Sequence, residues 1–183
     1  MRVARPKNEG KGGVHMPELV NLSVEKMPAM KVVGREIRPK MGAGENPIPA
    51  FWQQCFQGKT FEKIEALGAP ALDGAYVGFM TEYSKDDGTF TYVCGIFMKP
   101  DCPVPEGFVS RDVAAADVAV GWVRGPEFAI YPVAHTLTQE ALTKAKRKPD
   151  EKADWCAEVY NCPRFTTKQE NGDVILDYYI PCQ

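Results

Sequence analysis

The chain has little with which to hold a metal. It contains two histidines and six cysteines, and no two of Cys55, Cys94, Cys102, Cys156, Cys162 and Cys182 stand at C-x-x-C spacing. A structural zinc site draws its ligands from such short spacings, so no metal is expected. A P-loop, a dinucleotide-binding glycine fingerprint and any Ser-His-Asp order are also absent, and no cofactor is expected. No apolar run approaches the roughly 20 residues of a membrane-spanning helix, which argues against a membrane partner. Basic charge is not in excess either, the formal net charge being −2. Such a chain has no general attraction to a phosphate backbone, and direct nucleic-acid binding is not expected.

The first residues, MRVARPKNEGKGGVHM, lack the continuous apolar stretch of a secretory signal. The expectation is therefore a cytoplasmic protein with reduced thiols, most of them small apolar fillers. Arg2, Arg5, Lys7 and Lys11, with Gly10, Gly12 and Gly13, predict a flexible leader over residues 1–16. A solvated tail is the simple interpretation, and a basic contact to a partner is the alternative.

What is present suits a globular protein. The 183 residues are 44% hydrophobic and 25% charged, enough to bury a core. Over 18–38, Val20, Leu22 and Val24 alternate, followed by Met30, Val32 and Val33, which predicts a strand or two short strands broken at Pro28. KMGAGENPIPAF is a loop whose Pro47 and Pro49 suit the first turn of a helix. That helix carries Phe51, Trp52, Cys55 and Phe56 on one side, and a second helical piece is predicted from Phe61 to Leu67. Two β-rich runs flank SKDDG, with Asp87-Gly88 a hairpin turn signal.

PDCPVPEGF is a proline-rich loop and a plausible boundary between halves. After it the order repeats. FVSRDVAAADVAVGWVRG predicts one or two strands, and AIYPVAHTLTQEALTKAKRK a helix with Pro132 near its start. DWCAEVYNC and DVILDYYIPC predict two strands joined by a turn around Asn171-Gly172. The expected fold is α+β: strand-helix-strand-strand twice over, antiparallel sheet with two main helices, in halves of about 17–103 and 104–183. Fused halves leave a cleft at their junction, a common place for a ligand.

Within DWCAEVYNC one residue stands out. Strand alternation puts Cys156, Glu158 and Tyr160 on one face and Trp155, Ala157 and Val159 on the other. Glu158 is either a solvated acid on an exposed face or a buried acid awaiting a cation or a water. Aromatic side chains that could wall such a cleft are Phe51, Trp52, Tyr92, Trp122 and Tyr160. Phe51 and Phe56 also suit ordinary core, and so do Trp52 and Trp122. Tyr92 shares a strand face with Phe90 and Cys94, while the facing of Tyr76, Tyr83, Tyr178 and Tyr179 depends on a register the sequence does not set. His135, on the second helix without a Ser or Cys partner in view, suits a structural role.

Several stretches together resemble the GyrI-like small-molecule-binding family, also known as the AraC-type effector-binding or multidrug-sensor domain. They are IPAFWQQC, DDGTFTYVCG, VPEGFVSRDVAAADVAVGWVRG, DWCAEVYN and DYYIPCQ, and the resemblance runs from Pro17 to Gln183. It implies two fused modules about a pseudo-two-fold axis and an aromatic pocket between them with an acid at its base. The family's acid belongs to an E-x-Y strand motif, which corresponds to Glu158 and Tyr160. The implied partner is a hydrophobic, often cationic small molecule, with Glu158 as buried counter-charge. Some members are hydrolases of cyclopropane-bearing compounds; in that case Glu158 would activate water and Tyr160 orient the substrate. Topoisomerase inhibition in the family implies a protein-interaction role as a third possibility. The second helix departs from the family pattern, lacking an aromatic-rich ending and containing Pro132. No helix-turn-helix is attached, so a sensor of this kind would signal through a separate protein partner.

Overall fold

The computed structural model describes residues 15–42 and 44–183. Residues 1–14 of the expected leader lie outside them. The run from 18 onward forms two strands, β1 (Glu18–Met27) and β2 (Met30–Ile37). They part at Pro28, which cannot donate to a ladder. Val20 falls where the register of β1 shifts, between Leu19 and Asn21. It and Val24 are about two-fifths exposed, so of the alternating trio only Leu22 packs on the core.

Helix α1 (Ile48–Gln57) begins at the Pro47–Pro49 segment, where missing N–H groups cost little, and α2 (Thr60–Glu65) follows directly. Strands β3 (Tyr76–Thr81) and β4 (Thr91–Met98) flank the Asp87-Gly88 turn, with Gly88 at φ 71°. Next come β5 (Val109–Val113) and β6 (Ala116–Gly125). The helix expected over 129–148 is two pieces, α3 (Glu127–Ile130) and α4 (Ala134–Lys144). Pro132 lies between them, where a residue without an N–H cannot carry the ladder on. At its far end α4 is closed by Lys146 in the left-handed region (φ 60°), with Arg147 N–H donating to Leu142 C=O at 3.1 Å. Strands β7 (Trp155–Tyr160) and β8 (Val174–Cys182) end the chain.

All eight strands form one antiparallel sheet in the order β1-β6-β8-β7-β3-β4-β2-β5. Exchanging each strand with the one four later returns the same order reversed. The fold is thus two similar modules about a pseudo-two-fold axis, which passes between β3 and β7. The long segments 18–37 and 109–125 keep one pairing register across their bends: Met27 faces Ala116, and Met30 faces Val113.

Helices α1 and α2 pack over β2 and β4, and α4 packs over β1, β6 and β8. The last approach is close because Gly121 has no side chain: a Cβ there would lie 2.3 Å from Thr138 Oγ1. The other sheet face is buried as well, around Val32, Phe79, Val93, Phe97, Ala157 and Val159. With both faces covered, β4 is buried along its whole length, which explains its nearly continuous apolar run. Between the two helical walls lies the helix-side face of the central pair β3 and β7.

A buried carboxylate between two helical walls

Pairing of β3 with β7 sets Tyr76 opposite Tyr160, Gly78 opposite Glu158 and Met80 opposite Cys156. These six residues form the floor of the groove. Glu158 is at its middle, 9% exposed. Its Oε2 accepts two hydrogen bonds, from the Tyr92 hydroxyl at 2.8 Å and the Tyr160 hydroxyl at 3.0 Å. The Tyr92 oxygen in turn accepts from Trp52 Nε1–H at 2.9 Å. Four elements thus meet in one short network: α1 supplies Trp52, β4 Tyr92, β7 Glu158 and Tyr160, and β3 the space.

That space is Gly78. A Cβ on it would sit 2.0 Å from the Tyr92 hydroxyl oxygen and 2.8 Å from Glu158 Oε2. No side chain other than hydrogen lets phenol and carboxyl meet over β3.

Rings close the site from above. Trp52 meets Tyr160 edge to face at 4.8 Å between centroids, and Tyr160 meets Phe165 likewise at 4.8 Å. Tyr131 lies 6.5 Å from Tyr160. On the α4 side His135 stands edge-on to Tyr178 at 5.6 Å, and the Tyr178 hydroxyl donates to Cys156 Sγ at 3.2 Å. A hollow of about 340 Å³ opens at the Tyr76–Tyr160 end, lined by Glu65, Asp73, Tyr76, Tyr160, Cys162 and Thr166 among others. Glu158 does not line it, because Tyr160 stands between. Another hollow, about 290 Å³, lies among the Glu36, Glu82, Arg38 and Arg111 ion pairs and has no aromatic wall.

Among the described residues no Lys or Arg forms an ion pair with Glu158. Burial pushes its carboxyl upward, and the bonds from Tyr92 and Tyr160 only partly pull it back. Burial first, and then the charge of Glu158, holds the Tyr92 and Tyr160 hydroxyls well above their ordinary value. Both phenols therefore stay neutral donors. Burial also lifts the Cys156 thiol to about 11 and lowers His135, so the thiol stays protonated and the imidazole leans to its neutral form. Among the described residues no group of three or more His, Cys, Asp or Glu side chains is arranged to hold a metal ion. Among the described residues no helix is long and apolar enough to cross a membrane.

Of the aromatic side chains singled out from the sequence, Trp52, Tyr92 and Tyr160 come together at Glu158. Phe51 lies beneath them in the core of Val33, Cys55, Phe61 and Tyr92, and takes no part in the ring contacts above. Trp122 is on the opposite face of the sheet. Its neighbour Gly121 faces α4, so alternation turns the indole away, under the Arg164 guanidinium at 4.3 Å. Sequence reasoning missed Gly78, Tyr131 and Phe165. The last two supply the wall that the second helix was expected to lack, from the turn before α4 and the loop after β7. No local signal marks them, since their position depends on the packing of distant segments.

A carboxyl held by phenols inside an aromatic groove, between two pseudo-symmetric modules, is the architecture of a small-molecule-binding domain. The chain matches the family model of Cass2, the integron-associated effector binding protein, over residues 23–182. It belongs to that family, and the GyrI-like kinship drawn from the sequence holds. Similar solved structures include SAV2435 bound to tetraphenylphosphonium, at 11% identity and TM-score 0.63, covering 90% of this chain and 94% of that one. The EcmrR C-terminal domain is similar at 12% identity and TM-score 0.56, with 89% and 97% covered. An integron cassette protein from the mobile metagenome of Vibrio cholerae, VCH_CASS2, is similar at 17% identity and TM-score 0.50, with 91% and 99% covered. At these identities the likeness shows the fold. No curated protein matches the sequence significantly.

Proposed function

We propose that the protein binds aromatic, cationic small molecules in the groove over β3 and β7, with Glu158 as the counter-charge. The observation that carries this reading is a 9% exposed carboxyl without an ion-pair partner among the described residues, bonded by Tyr92 and Tyr160, with Trp52, Tyr131 and Phe165 packed around Tyr160. A buried acid of this kind is completed by a cation. The surrounding rings offer their faces to the same cation, each contributing about 0.5–2 kcal/mol. Tetraphenylphosphonium, the ligand of SAV2435, has this combination of charge and aromatic surface and is the natural probe.

The groove is filled by its own side chains, so a ligand enters by displacing rings. The Tyr160 side, next to the 340 Å³ hollow with Glu65 and Asp73 on its lining, is the route we assign. The hydrolase alternative uses the same acid to activate water. Binding is preferred because both nearby phenols donate their protons to Glu158, so neither is free to orient a substrate.

Tryptophan fluorescence during titration with tetraphenylphosphonium tests this reading, since Trp52 packs on Tyr160. Glu158→Gln keeps the shape and removes the charge. The expected outcome is binding by the wild type and at least about tenfold weaker binding by the variant, a loss of about 1.4 kcal/mol or more. Equal affinity would remove the counter-charge role. Cyclopropane-bearing ligands recovered one water heavier from the wild type, and unchanged from Glu158→Gln, would move the assignment to hydrolysis.

A further inference from the structure

We propose that Glu158 carries a proton in the ligand-free protein and that a cationic effector binds by displacing it, one proton leaving for each cation bound. This rests on the binding reading above and specifies how the site is regulated.

The geometry supplies the argument. Both phenols donate to the same oxygen, Oε2. Oε2 accepts both along its two lone pairs whether the acid is neutral or ionised, so these bonds do not depend on the protonation state. Oε1 accepts no hydrogen bond among the described residues, and it is the atom left to carry the proton. Among the described residues no side chain places a positive charge on Glu158: Arg35 of β2, opposite Cys94 in the same cross-strand row, is exposed, and its charge acts on Cys55. Tyr92 and Cys94 come from β4, Cys156 and Tyr160 from β7, and Tyr178 from β8. Cys55 and Trp52 come from α1, and Gly78 from β3. Tyr131 lies before α4, with Glu127 of α3 as its acidic neighbour, and His135 belongs to α4 and packs edge-on to Tyr178. An ionised carboxylate buried among neutral phenols and thiols is costly, and taking a proton from water relieves the cost.

A cation entering the groove reverses the balance. Its charge replaces the proton's, the Oε1–H bond breaks, and the proton passes to bulk water. No electron moves, and charge inside the groove is conserved. Tyr92 and Tyr160 need not change partners, because they donate to Oε2 in either state. Affinity for a cation therefore rises with pH until the free protein has lost its proton, by about tenfold per pH unit over that range. A neutral aromatic ligand gains nothing from the exchange.

The test combines binding with a direct measurement of the carboxyl. Calorimetric titration with tetraphenylphosphonium at pH 6.5, in two buffers of different ionisation enthalpy, counts protons released per cation bound. The expected result is close to one for the wild type, none for Glu158→Gln, and none for triphenylphosphine oxide, a neutral ligand of similar shape. Carbon-13 NMR of glutamate carboxyls in the ligand-free protein, with Glu158 assigned from the spectrum of Glu158→Gln, follows its titration. The proposal expects that signal in its protonated position at pH 6.5. Cation binding without proton release, proton release that persists in Glu158→Gln and so belongs to His135 or another group, or an ionised Glu158 signal at pH 6.5 would each overturn it. Failure of the cation to bind at any pH would instead refute the binding reading, while the carboxyl signal would still decide the protonation of Glu158.

Discussion

Gly78→Ala is the smallest change that tests the architecture of the site. The added methyl would lie 2.0 Å from the Tyr92 hydroxyl oxygen, 2.6 Å from Tyr92 Cζ and 2.8 Å from Glu158 Oε2. Ordinary contact needs more than 3.4 Å, so the phenol must retreat by over an ångström. It has nowhere to go: Tyr92 is 1% exposed and held from above by Trp52 Nε1–H. Forced overpacking of this kind costs about 1–3 kcal/mol. Loss of the Tyr92–Glu158 bond adds about 1–3 kcal/mol for buried polar groups left unpaired. Against this, alanine lowers unfolded-chain entropy and returns about 0.4–1 kcal/mol. The net expectation is destabilisation by about 1–5 kcal/mol, read from urea unfolding followed by tryptophan fluorescence. Repeating the substitution in a Tyr92→Leu background removes the two closest clashing atoms and leaves Glu158 Oε2, so most of its cost should vanish there, a coupling of at least about 1 kcal/mol. A cost below about 0.5 kcal/mol, or the same cost in both backgrounds, would refute the claim that Gly78 exists to let Tyr92 reach Glu158.

Other outcomes follow from the same structure. Arg164→Ala strips a two-point ion pair (2.9 and 2.6 Å) from Asp177, which is 1% exposed. It should cost about 3–5 kcal/mol in the same unfolding assay, as expected for a buried charge left alone; a cost under about 1 kcal/mol would show that Asp177 finds water or another partner. At the β3–β4 turn, hydrogen bonds from Thr89 hold the Asp87 carboxyl down at about 2. A depressed folded-state value means its stabilisation is present above the ordinary value near 4 and is lost as pH falls through about 2. Asp87→Ala should lower stability at neutral pH, converge with the wild type as pH falls through about 2, and so flatten the acid limb of a stability–pH curve in that window; an identical acid limb would dismiss the turn's contribution.

Local chemistry made much of the frame legible. Alternation in DWCAEVYNC placed Glu158 and Tyr160 on one strand face, and β7 keeps them there. The Pro47–Pro49 start, the Asp87-Gly88 turn and the division of strands at Pro28 are short-range effects of backbone dihedrals and missing donors, so the sequence carries them directly. Pro132 was visible too, although it splits the expected helix into α3 and α4 and does not sit inside one.

Tertiary structure decided how these pieces meet. Tyr92 and Glu158 are 66 residues apart in sequence and touch through one hydrogen bond. That contact exists because β3 pairs with β7 in a register that puts Gly78 beside the acid. Trp122 looked as suitable a wall as Trp52, yet the descent of α4 onto Gly121 turned it to the far face. By itself the sequence determined which residues share a strand face and where proline and glycine interrupt the elements. It left open which strands lie side by side, because a one-residue slip in pairing exchanges the two faces of a strand and only the packing of the whole sheet forbids it.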